Sequence, residues 1–198
     1  MIDLYGINGA EKAKLLSQRR DKIVKIQTEK LPPAFLSDQK PLTDGDLEKA
    51  LCNSPSKMKP SDWYALLNGK VFFWLTKERL DRLSNASPYR AHMNDLLVLD
   101  TAKLIQDYTE NLWLSPMNTG FTGHAPVPRD ENTFSRIEDH DWDKKRGKIV
   151  ELCVDNKVKN ISKYIVDAYV IKGTDRIRTL TSVNIPPSLE FPCEAHYL

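Results

Sequence analysis

The sequence predicts an α+β domain, with short helices and short strands set in irregular order around one core. Three observations predict it. Apolar runs such as Val71-Phe72-Phe73-Trp74-Leu75 and Leu96-Leu97-Val98-Leu99 have the length and the aromatic or branched composition of strands. The helix-like segments between them are brief and begin at capping residues. Strands and helices do not alternate as regular βαβ winding requires.

The elements follow in order. Asn8 with Glu11 three residues on opens a helix whose stripe is Ala10, Ala13, Leu15 and Leu16, and Arg19-Arg20 form its basic end. Pro32-Pro33 and Pro41 break any helix between residues 23 and 41, so that stretch is extended or looped. Thr43 begins a short helix carrying Leu47, Ala50 and Leu51. A second starts after Pro60, with Ser61 or Asp62 as cap, Trp63, Leu66 and Leu67 inward and Asn68-Gly69 as its end. Val71 to Leu75 lacks polar alternation and is expected to be a strand buried on both faces. Thr76 caps a helix from Lys77 to Leu83. Leu96 to Leu99 is another buried strand, and Asp100-Thr101 caps a helix reaching Tyr108. Leu112 to Leu114 is a short strand. Ser115 to Glu131, rich in Pro, Gly, Asn and Thr, is a long loop of the kind that is usually functional or mobile. Ile149 to Val154 and Ile161 to Ile171 are the last strands. The reading is one domain over residues 1–172, with a tail over 173–198 that includes Pro186-Pro187 and Pro192.

Composition excludes several classes. Of 198 residues, 40% are apolar, enough for a packed core and too many for a disordered chain. Lys and Arg number 29 against 27 Asp and Glu, a net charge of +2, which makes no global case for a nucleic-acid or membrane-surface binder. The longest apolar run is five residues, where a bilayer span needs about 20. Cys52, Cys153 and Cys193 are odd in number and far apart, so no disulfide framework is expected; with no signal-peptide pattern at Met1 to Gly6, the cytoplasm is the expected compartment.

The usual motifs of chemistry are missing. His92, His124, His140 and His196 have no metal-ligand spacing, and Asp139-His140-Asp141 reads as a solvated turn, so no metal is expected. There is no GxSxG, no GxxxxGK[ST] and no GxGxxG. Basic clusters occur at Arg19, Arg20, Lys22 and Lys25 and at Lys144, Lys145, Arg146 and Lys148, the second offset by Asp139, Asp141 and Asp143. Glu151 stands inside the apolar strand Ile149-Val150-Glu151-Leu152-Cys153-Val154. With Val150, Leu152 and Val154 facing one way, Glu151 and Cys153 face the other, toward either water or a cleft. The residues alone give a soluble α+β domain with a candidate acidic site.

The order of Gln18-Arg19-Arg20, Ser37-Asp38-Gln39-Lys40-Pro41, Leu67-Asn68-Gly69-Lys70-Val71-Phe72-Phe73-Trp74-Leu75-Thr76, Val98-Leu99-Asp100-Thr101 and Leu114-Ser115-Pro116-Met117-Asn118-Thr119-Gly120 resembles a family of uncharacterised bacterial proteins over about residues 1–170. The layout is also similar to ADP-ribosyltransferases of the DarT type, toxins that modify bases in DNA. That likeness implies a split β core surrounded by short helices, with NAD as cofactor and no metal. Glu151 and Arg20 would be catalytic. Arg19, Phe73, Trp74 and Arg79 would bind the cofactor, with Asn118, Thr119 and His124 in the loop that chooses the acceptor. A carboxylate such as Glu151 suits the oxocarbenium-like charge that develops on the ribose, and an arginine fork suits the diphosphate. Nucleic acid or protein would be the acceptor.

Both families open with a strand bearing a His-x-Thr-like element. Met1-Ile2-Asp3-Leu4-Tyr5 matches a point after it, and none of the four histidines carries over. The likeness therefore implies a domain lacking its first strand, with an exposed sheet edge that invites self-association. It also leaves an alternative: a truncated, inactive remnant or a non-catalytic interaction module.

Overall fold

A computed structural model of the chain describes residues 2–123, 126–140, 142 and 149–180. The fold is α+β: among the described residues five α-helices accompany eight strands in three small sheets. The chain divides into two compact units, Met1–Val71 with Ser115–Ser135, and Phe72–Leu114 with Arg136–Leu198.

The first unit opens with α1 (Gly9–Ser17). The helix stops before the basic pair because Gln18 is already extended, so Arg19 and Arg20 lie beyond it rather than forming its last turn. Arg20 still serves the helix end: its Nη1 donates to the Leu15 carbonyl at 3.1 Å, one of the acceptors a helix terminus leaves unpaired. The stretch expected to be extended holds β1 (Val24–Ile26) and β2 (Ala34–Leu36), an antiparallel ribbon that turns Ile26 and Leu36 inward and leaves Phe35 exposed opposite Lys25. Next comes α2 (Asp44–Leu51), where the Thr43 side chain accepts from the Asp46 amide at 3.2 Å as an N-cap does. Its inward residues are Leu47, Ala50 and Leu51, as the sequence predicts.

Helix α3 (Pro60–Asn68) has Pro60 at a first-turn position, where the missing N–H costs nothing. The cap is Lys59 rather than Ser61 or Asp62; Asp62 acts from within the first turn, accepting from the Lys59 amide at 2.8 Å. Trp63 and Tyr64, almost wholly buried, anchor the core of this unit, and Trp63 stacks on Phe134 with centroids 6.0 Å apart. Burial, reinforced by a hydrogen bond to Asp44, pushes the Tyr64 phenol well above its usual pKa.

The second unit holds β3 (Lys70–Trp74) from Phe72 onward, α4 (Lys77–Ser84), β4 (Met93–Leu99), α5 (Thr101–Tyr108), β5 (Leu112–Ser115) as far as Leu114, β6 (Glu151–Asp155), β7 (Ile165–Lys172) and β8 (Asp175–Thr179). One sheet has the order β3-β6-β5 and the other β4-β7-β8. Thr76 and Asp100 cap α4 and α5 through their side chains, as read from the sequence. Leu104, Leu112, Leu114, Leu152, Val154 and Tyr164 form the core, each such residue worth about 1.5–3 kcal/mol when removed from water.

Two expectations change here. The last long strand begins at Ile165, because residues 161–163 form a 3-10 turn entered through Asn160 in the left-handed region. The chain after 172, read as tail, continues through Gly173 (φ +58°) into β8, antiparallel to β7, with described residues ending at Leu180. The signal was present: Gly173-Thr174 between two runs of strand length is a hairpin turn, and the glycine supplies the positive φ it needs.

The Tyr164–Asp107–Lys163 group makes the second unit's stability depend on pH. Tyr164 donates to Asp107 at 2.8 Å, and Lys163 pairs with the same carboxylate. Lys163 first, then Tyr164, holds Asp107 below the ordinary carboxylate range. Burial first, then Asp107, pushes Tyr164 up to about 12. A lowered carboxylate pKa stabilises the fold above the unfolded value of about 4 and loses that contribution as pH falls through the folded value. A raised phenol pKa stabilises below the unfolded value of about 10 and loses its share as pH climbs toward about 12. Melting temperature against pH should therefore be flat between these limits and fall on both sides. Tyr164→Phe should make the alkaline limb shallower, leaving the share of Tyr64, whose phenol is also raised; an unchanged limb would show that Tyr164 does not contribute to it.

Candidate functional site

The run Val71 to Leu75 is apolar throughout, yet each of its residues is only half-buried, against the expectation of burial on both faces. The cause is a cavity of about 530 Å³ inside the second unit, along Phe72, Phe73, Trp74 and Leu75. Helix α4 contributes Leu80 to its wall, α5 Leu104 and β6 Leu152. The remaining wall is one face of the β4-β7-β8 sheet. Leu96 pairs with Tyr169 and Val98 with Asp167, so these side chains share a face, and Leu96, Val98, Tyr169 and Ile171 all reach the cavity. A volume of this size lies in the range of small-molecule sites, about 300–1,000 Å³.

The polar groups at the wall neutralise one another. Lys77 Nζ meets Asp81 Oδ2 at 2.6 Å. Arg176 donates to both Asp167 oxygens, at 2.8 and 3.2 Å, and to Thr179 Oγ1 at 3.0 Å, while its guanidinium lies 4.1 Å from the centroid of the Tyr169 ring. The charged residues of the wall, Lys77, Asp81 and Arg176, are thus paired, Arg176 with an acid that does not line the cavity, and leave an apolar, ring-lined space without an unpaired charge to select an ion.

Glu151 is buried at 4% exposure in β6, and Cys153 at 0%, so the solvent-facing alternative for this carboxylate is excluded. The alternation read from the sequence holds: Leu152 and Val154 enter the core cluster, with Glu151 and Cys153 on the opposite face. Phe73 and Leu75 pack on that same cluster. Since β3 and β6 are neighbours, Phe72 and Trp74 share the sheet face of Glu151, whereas Phe73 lies on the other. The pair Phe73 and Trp74 is thus split between the two faces. Arg79, on α4, is half-buried and is not part of the cavity wall; its amide donates to the Thr76 cap at 3.4 Å.

The early arginines lie in the first unit and are engaged there. Arg19 donates to the Leu42 carbonyl and pairs with Asp21. Arg20 donates to the Ser37 carbonyl at 2.9 Å, to Leu15 and to Asn68 Oδ1 at 3.1 Å, and burial lowers its pKa without removing its charge. These forks hold carbonyls of their own chain.

The described residues of the loop expected to choose an acceptor are pinned down. Thr119 and Thr122 are buried, and Thr122 Oγ1 donates to the Pro41 carbonyl at 3.1 Å. Asn118 is exposed and accepts from the Gly120 amide at 3.1 Å, whereas His124 lies outside the described residues, as do Lys144, Lys145, Arg146 and Lys148. The residue that fixes the loop is Arg129, buried at 4%. It donates to the carbonyls of Thr119, Phe121 and Val127 at 3.2, 3.2 and 3.3 Å, and its guanidinium lies 5.5 Å from the Trp63 ring centroid. Sequence reasoning missed Arg129, Tyr169 and Arg176. Local pattern does not announce Arg129, whereas the hairpin turn at Gly173 would have placed Arg176 on a strand.

Among the described residues no group of three or more His, Cys, Asp or Glu could hold a metal ion, and no helix is long and apolar enough to cross a membrane.

A family model described as a family of unknown function (DUF7002) matches residues 1–165, and the chain belongs to that family. No curated protein matches the chain. No solved structure matches it either.

Proposed function

We propose that this member of a family without an assigned activity is a binding module whose second unit seats a planar, largely uncharged ring. One observation carries the reading: an apolar run that should be buried is left half-open, and four of its residues, Phe72 to Leu75, line a cavity walled also by Leu96, Val98 and Tyr169. Aromatic faces in such a space favour another flat ring, and the paired ions at its wall give an ionic ligand no counter-charge. Nicotinamide and adenosine are the test ligands, since each offers an uncharged ring of this kind. Whichever binds should raise the melting temperature with concentration, in proportion to ln(1 + [L]/Kd). If none does so at millimolar concentration, the reading is wrong.

ADP-ribosyl transfer from NAD to a nucleic acid or a protein is the second reading. It is favoured by a buried carboxylate, Glu151, on the sheet face of Trp74 and Phe72. In it the bond from ribose to nicotinamide breaks, the Glu151 carboxylate stabilises the cationic sugar, and an acceptor nucleophile closes on that carbon. It ranks second because the Arg19 and Arg20 forks already hold carbonyls of their own chain. Release of nicotinamide from NAD, with DNA or protein present and abolished by Glu151→Gln, would promote it. Turnover equal in wild type and Glu151→Gln would end it.

A further inference from the structure

We propose that the outer edge of β4 accepts an extended segment of a partner protein as an added strand, with alternate apolar side chains entering the cavity and a basic side chain beside Asp95. The proposal rests on the reading of the cavity as a binding site and names the partner it takes.

β4 runs over seven residues and ends its sheet, whose order is β4-β7-β8. A terminal strand presents every second N–H and C=O away from its neighbour. Among the described residues, no backbone hydrogen bond outside the β4–β7 ladder involves residues 93–98. The opposite edge is guarded: β8 reads Asp175-Arg176-Ile177-Arg178-Thr179, charged at alternate and neighbouring positions. β4 reads Met93-Asn94-Asp95-Leu96-Leu97-Val98-Leu99, with neither Pro nor Lys to block pairing.

The cavity touches Leu96, Val98 and Leu99, which the irregularity between Val98 and Leu99 brings to one face, and also Leu97 of the opposite face. A space that reaches residues of both faces extends around the strand's outer edge. Side chains of an added strand would then divide as those of β4 do. On one side they would lie beside Leu96 and Val98, in the apolar space. On the other they would lie beside Met93, Asp95 and Leu97, all exposed.

Asp95 makes no ion pair among the described residues. On its face Lys172 stands opposite Met93, and Arg178 lies two strands away beyond Val170. The charge is therefore open to a cation on the incoming strand, at the cross-strand spacing where opposite charges attract. A second copy of the chain fits poorly. Antiparallel pairing of β4 with its own copy centred on Asp95 would oppose like charges, and centred on Leu96 it would oppose Asp95 with Leu97.

The test uses the full chain and a labelled, end-blocked peptide of alternating threonine and valine with lysine at a central threonine position. Fluorescence anisotropy should show saturable binding. Asp95→Lys, at an exposed site with an unchanged melting temperature, should weaken that peptide by about threefold to fivefold and strengthen one bearing glutamate instead. Two versions N-methylated on alternate residues keep every side chain, and one of them should not bind, because main-chain bonds carry the affinity. Amides of residues 94–98 should exchange more slowly with the peptide present. Equal binding of both N-methylated peptides, or an Asp95→Lys protein with unaltered preference, would overturn the proposal. So would light scattering that shows a dimer whose β4 amides are protected without peptide. Failure of the peptide while a ring ligand still raises the melting temperature refutes the strand acceptor and leaves the cavity reading standing; failure of both refutes both.

Discussion

Arg129→Ala should destabilise the first unit by about 3 kcal/mol or more, the sum of several buried acceptors losing their donor at about 1–3 kcal/mol each. The side chain is 4% exposed and gives hydrogens to three carbonyls of the same loop, Thr119, Phe121 and Val127. Alanine fills neither the volume nor the bonds, and the loop has no regular ladder to fall back on. The Trp63 indole also donates to the Thr119 carbonyl, at 3.4 Å, so that acceptor keeps one partner and the loss stays short of the full sum. For a chain of this size, about 3 kcal/mol lowers the melting temperature by roughly 6–12 °C. Arg129→Lys should recover little, because one ammonium cannot serve three divergent acceptors from a planar fork. A melting curve for Arg129→Ala within about 2 °C of wild type would show that the loop does not depend on this residue.

The same loop shows where sequence reading stops. Helices α2, α4 and α5 were legible because their signals are local: Thr43, Thr76 and Asp100 each cap within three residues of their own position. The alternation of Glu151 against Leu152 was legible for the same reason, since a strand's period of two fixes opposite faces whatever lies beyond them. That Glu151 is buried was not, because burial depends on what the rest of the chain sets against that face. Ser115 to Glu131 has the composition of a mobile loop, whereas hydrogen bonds to the distant Pro41 and Ala50 carbonyls, with the Arg129 side chain inside, tie down its described residues. The half-burial of Phe72 to Leu75 was unreadable too, because composition measures how much apolar surface a strand carries and not whether neighbours fill the space beside it.

Val98→Phe should leave the protein as stable as wild type, or about 1 kcal/mol more stable, and should abolish stabilisation by any ring ligand. Adding atoms to a packed interior usually costs about 1–3 kcal/mol, because neighbours must leave their rotamers. Val98 is half-buried and faces a cavity of about 530 Å³ together with Leu96, Tyr169 and Ile171, so a phenyl ring has room and gains apolar contact. Leu152→Phe is the contrasting change on the same wall. Leu152 is 2% exposed and belongs to the core cluster with Leu104 and Val154, so the larger ring must displace filled space and the protein should lose about 1–3 kcal/mol. Thermal melts of the two variants, each with and without adenosine or nicotinamide, separate the cases. If Val98→Phe is destabilised as much as Leu152→Phe, the space is closed in solution. If it is stable and still responds to ligand, the ring sits elsewhere. A stable variant that no longer responds places the ligand between β3 and the β4-β7 face, where the apolar run of β3 lacks cover.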